Sequence, residues 1–66
     1  MQKWEYLRVV MEWTDLSGWN WSDGSKKNTN DHLNELGKLG WELVSVAVFA
    51  SGKVWEHSYY LKRPLN

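Results

Sequence analysis

Two runs in the C-terminal half, residues 41–50 (WELVSVAVFA) and 54–63 (VWEHSYYLKR), constrain this chain more than any other feature. Both are dense in β-branched and aromatic residues, the types that fit a pleated, half-buried surface. Ser51-Gly52 between them reads as a two-residue hairpin turn. That turn sets Phe49 opposite Val54, Val48 opposite Trp55, Val46 opposite His57 and Val44 opposite Tyr59. One face then collects Val44, Val46, Val48, Trp55, Tyr59 and Leu61. The other collects Trp41, Leu43, Ala47, Phe49, Val54 and Tyr60, interrupted by Ser45, Glu56 and Ser58. A hairpin apolar on both faces needs two covers, and Pro64 is expected to end its second strand.

The rest of the chain offers one clear cover. Asn28, Thr29 and Asn30 are N-cap candidates, Asp31 suits the first turn of a helix, and Leu33, Leu36 and Leu39 form an apolar stripe. Gly40 stands where a left-handed C-terminal cap is wanted. Such a helix has about three turns and is too short to persist undocked. Upstream, residues 4–13 (WEYLRVVMEW) read as a strand with Glu5, Leu7, Val9, Met11 and Trp13 on its more continuous apolar face. Residues 14–29 turn to Ser, Asp, Gly, Asn and Lys, a loop composition. Within them Trp19-Asn20-Trp21 alternates, compatible with an extra short strand turning back through Asp15-Leu16-Ser17-Gly18.

The expected fold is therefore α+β: a two-layer β-α-β-β domain with one short helix on a three-stranded antiparallel sheet. The third strand lies between the first two (order 1-3-2), with parallel pairing of the first two as the alternative. The 66 residues provide for a single domain spanning 1–66. A core this small is marginal, and cysteine, hence a disulfide or a thiolate zinc site, is absent. Six tryptophans remain to stabilise it, each burying about 150–250 Å².

The run LNELGKLGWELVSV (residues 33–46), Lys3-Trp4-Glu5-Tyr6 and Tyr60-Leu61-Lys62-Arg63-Pro64-Leu65 resemble a small bacterial family known as domain of unknown function 4177. The resemblance implies a small sheet-plus-helix domain. It brings no activity and no catalytic residues. Residues 14–27 do not align with its pattern.

Function is approached by elimination. Eight basic and eight acidic residues cancel, which disfavours nucleic acid as a partner. No apolar run approaches the roughly 18–20 residues of a membrane span, and Met1-Gln2-Lys3-Trp4 lacks a signal-peptide layout, so the cytoplasm is the expected compartment. Glu56 and His57 alternate onto opposite strand faces, His32 falls near the exposed first turn of the helix, and Glu42 has no convincing carboxylate partner. No serine sits in a G-x-S-x-G elbow, and Ser51-Gly52-Lys53 lacks the rest of a phosphate loop. Neither catalytic residues, a metal site nor a cofactor is expected, and the chain reads as no enzyme.

The residues left over are aromatic. Trp13, Trp19, Trp21, Trp55 and Tyr59 are the candidate interface or ligand-stacking residues. The leading expectation is a non-enzymatic interaction or accessory domain that self-associates, most simply as a homodimer. The alternative is a binding module whose Trp-rich loop stacks a sugar, base or other planar ligand, with Lys26-Lys27 beside it able to meet a phosphate.

Overall fold

The computed structural model describes residues 1–65; Asn66, the last residue of the expected single domain, lies outside the described residues. The elements are β1 (Lys3–Thr14), β2 (Gly18–Trp21), α1 (Thr29–Lys38), β3 (Glu42–Ser51) and β4 (Val54–Leu65). One antiparallel sheet of order β2-β1-β4-β3 carries the helix on one face. Placement of the last strand between the first and the second long strand is as expected from the sequence. The strand number is not: residues 18–21 form a true fourth strand, paired with the end of β1 from Thr14↔Gly18 to Met11↔Trp21. The turn is held by the Thr14 hydroxyl, which accepts from the Ser17 amide at 3.2 Å, and Asn20 Nδ2 donates to the Ser17 carbonyl at 3.0 Å.

The β3–β4 hairpin departs from its expected register. Its turn is Gly52-Lys53, not Ser51-Gly52, so Ser51 faces Val54, Ala50 faces Trp55, Val48 faces His57 and Val46 faces Tyr59. The reason is backbone: Gly52 stands at φ 59, and a two-residue turn with glycine first requires positive φ there. The slip is two residues, so every side chain up to the bulge keeps its expected face. Val44 then bulges out of the ladder, and beyond it Leu43 joins Leu61 instead of facing away from it. Pro64 does not end β4 but pairs with Trp4 inside it. Here β4 has a neighbour on the β1 side only, because β3 pairs no further than Lys62, and an edge tolerates the missing N–H.

The helix begins where the Asn28 carboxamide accepts the Asp31 amide at 2.9 Å. It ends in a full Schellman motif. Trp41 N–H donates to the Leu36 carbonyl at 3.1 Å, Gly40 N–H donates to Gly37 at 3.0 Å, and Gly40 takes φ 92. Leu33, Leu36 and Trp41 pack against the buried centre, formed among the described residues by Val9, Trp21, Tyr59 and Leu61. Leu39, expected in the helical stripe, caps the helix instead and stays exposed. Arg63 ties the helix end to the sheet: it stacks on Trp41, donates to the Leu39 carbonyl at 2.9 Å and pairs with Glu5.

The helix covers the middle of one face and leaves β3 bare. All ten residues of β3 are exposed. The opposite face presents Trp4, Tyr6, Phe49 and Tyr60, with Arg8 donating to Glu56 at 2.8 Å and Ser58 at 3.0 Å among them.

Candidate functional site

The pairing registers bring all five candidate aromatics to the helix-bearing face. Across the sheet Trp13 pairs with both Trp19 and Trp55, giving a row of three tryptophans that spans β2, β1 and β4. The next row is Trp21, Met11 and His57, and Tyr59 follows opposite Val9. Their environments differ. Trp21 and Tyr59 are core residues, Trp13 is half-buried, and Trp19 and Trp55 are each 46% exposed. The set therefore divides into a structural part and an exposed part.

Trp21 organises the segment between β2 and α1. Its ring nitrogen donates to the Lys27 carbonyl at 2.8 Å, and its ring packs on Tyr59 at 5.4 Å and on His32 at 4.4 Å between centroids. His32, expected near the exposed first turn, is 7% exposed. Its imidazole is taken up by the Trp21 ring, an apolar contact that sequence spacing on the helix does not reveal. Its Nε2 lies 3.0 Å from Asp23 Oδ2 but out of hydrogen-bonding alignment. The Asp23 carboxylate in turn accepts the Ser25 amide at 2.9 Å, shaping the turn that follows β2.

Fixing this segment opens a cleft of about 590 Å³ between it and the sheet. Met11, Trp19, His57 and Tyr59 form the sheet wall; Lys26, Lys27, Asn28 and Thr29 form the other. The Trp19 and His57 rings lie 4.6 Å apart, tilted by 43°. The Thr29 hydroxyl points at Met11 Sδ at 3.9 Å and bridges the two walls. Lys27 is paired with Glu35, whose carboxyl is held below its ordinary range first by that hydrogen bond and then by neighbouring positive charge. His57, which alternation sets on the opposite face from Glu56, lines this cleft. Its place follows from long-range pairing with Met11, and no local motif signals it.

A second hollow, of about 450 Å³, lies between Leu39, Gly40 and the Glu5–Arg63 pair. Arg63 is already engaged there by Glu5, Leu39 and Trp41, so its polar groups serve the helix junction. Among the described residues no three His, Asp or Glu side chains gather as a metal site would require, and no helix is long and apolar enough to cross a membrane.

One short helix on a four-stranded antiparallel sheet, with an aromatic row beside it, defines a small α+β domain. The chain belongs to the family described as Domain of unknown function (DUF4177), whose model matches residues 4–63. The matched span runs through residues 14–27, the stretch whose residues do not align by themselves with the family's pattern. No curated protein and no solved structure matches the chain.

Proposed function

We propose that the domain is a non-enzymatic interaction module that works as a homodimer, joined through antiparallel pairing of β3 with its copy. The observation that carries this reading is the state of β3: it is one of the two edge strands of the sheet, and it is exposed along its whole length. From Leu43 to Ser51 it contains neither a charge nor a proline, two of the devices by which natural edge strands avoid pairing; a third, the bulge at Val44, lies near its start and leaves residues 45–51 in regular register. An antiparallel strand is complementary to itself about a two-fold axis, so a second copy satisfies the same backbone groups on both partners.

The shape of the single chain supports the same reading. Its radius of gyration is 13.3 Å, where a compact chain of this length has about 11 Å. Its accessible surface is 4942 Å², against about 4,400 Å² for a compact monomer of 7.8 kDa. The surplus accords with the elongated form of the chain, whose extents are 45 × 22 × 15 Å. A site for catalysis would need paired acid–base or nucleophilic groups, and the cleft holds one imidazole without a carboxylate in its lining.

Light scattering with size-exclusion chromatography tests the reading. The expected mass at micromolar concentration is twice that of the chain. Val48→Lys places a charge at a position already 63% exposed, so it spares the monomer's packing while opposing the pairing, and it should yield a monomer. A wild-type chain that stays monomeric throughout the micromolar range overturns the proposal.

A further inference from the structure

We propose that the cleft between the sheet and the 26–29 segment is a binding site for a small planar anion, an aromatic ring carrying one acidic group. The site lies toward β2, while β3 forms the far edge of the sheet, so it stands independently of any pairing through β3.

Size comes first. About 590 Å³ falls within the range of roughly 300–1,000 Å³ typical of small-molecule sites and suits one or two fused rings with a substituent. The chemistry of the walls then narrows the occupant. The sheet wall offers the half-exposed Trp19 ring with His57 packed beside it and Tyr59 behind, a surface on which a flat π-system stacks well. The opposite wall carries two lysines, and no carboxylate lines the cleft, in a chain whose net charge is zero. Lys27 is already satisfied by Glu35, whereas among the described residues Lys26 meets no carboxylate within ion-pair distance. Lys26 is thus the charge left for a ligand. The first turn of α1 begins beside it at Asn28 and Thr29, but its N-terminus is already served by the Asn28 cap and the Asp31 carboxylate, so Lys26 carries the charge of the site.

The walls are also set before any ligand arrives. The bond from Trp21 to the Lys27 carbonyl and the Asn28 cap fix the segment where it enters the helix, and the Asp23 carboxylate accepting the Ser25 amide shapes the turn before it, so little backbone ordering is needed on binding.

The test is a ¹⁵N-resolved NMR titration of the full chain with four probes: indole-3-acetate, adenosine 5′-monophosphate, neutral indole and acetate. The expected result is saturable movement of the Trp19 indole and the Lys26 and Asn28 amides with one or both of the first two. Indole and acetate, each lacking one half of the ligand, should bind about tenfold more weakly or worse. Comparing the first two probes decides whether the acidic group is a carboxylate or a phosphate. Lys26→Glu, an exposed change, should weaken binding by about tenfold or more, while Lys38→Glu at the other end of the helix should not. Absence of saturable shifts with both acidic aromatics overturns the proposal. So does neutral indole binding as tightly as they do, or unchanged affinity in folded Lys26→Glu.

Discussion

Gly37 and Gly40 lie three residues apart and face opposite requirements. Gly40 holds φ 92 at the helix end, where a side chain is strained, although a Cβ would meet nothing nearer than Arg63 Cδ at 3.9 Å. Gly37 lies within the helix at ordinary φ, with nothing within 4 Å of an added Cβ. Gly40→Ala is therefore expected to destabilise by about 1–2 kcal/mol. Gly37→Ala should stabilise by up to about 1 kcal/mol. Urea unfolding of the two variants checks the opposite signs, and equal shifts would refute the role given to backbone conformation. Glu35 supplies a pH dependence at the same scale. Because Lys27 holds its carboxyl below the usual range, the folded chain binds that proton less readily than the unfolded one. The contribution is complete above glutamate's ordinary value of about 4.3 and is lost as pH falls through the lowered one. In an exposed pair the effect is small, so an NMR titration of the Glu35 side chain is the direct check; a midpoint at or above the ordinary value contradicts the pairing.

At the scale of elements, β2 owes its place to one of its two tryptophans. Trp21→Phe removes the bond to the Lys27 carbonyl together with buried ring atoms, and about 2–3 kcal/mol of stability should go with them. Trp19→Ala, in the same strand but half-exposed, should cost markedly less; denaturation midpoints that rank the other way would show that β2 is held differently. The contrast also explains what was legible in the sequence. The helix was readable because Asn28, Asp31 and Gly40 act within a few residues of where they stand. The long strands were readable because alternation is local, but that Trp13, Trp19 and Trp21 share a face with Trp55 and Tyr59 follows only from how the strands pair. The Gly52-Lys53 turn was missed by one position because glycine's place in a turn depends on the sign of φ, which composition leaves open. The Val44 bulge and the burial of His32 depend on partners far along the chain. The cleft is harder still to foresee, for it joins His57, Trp19 and Lys26 from two strands and a connecting segment.

At the scale of the whole molecule, a dimer joined through β3 makes stability depend on concentration. A tenfold increase in protein should raise the melting temperature measurably for the wild type and leave Val48→Lys unmoved; a concentration-independent wild type argues for a self-sufficient monomer. The sheet order has a further consequence, in time. Its two outer pairings, β1 with β2 and β3 with β4, are local hairpins, but the central ladder joins Trp13 to Trp55 and Lys3 to Leu65. Hairpins close in about 1–10 μs, whereas a ladder between distant segments waits on the closure of a long loop. The closure of this central ladder is thus the step expected to limit folding, at a rate in the slower range that long-range contacts impose. Until that ladder closes, the inner borders of β1 and β4 are open as well as the outer borders of β2 and β3, so a sheet with two edges when complete has four beforehand.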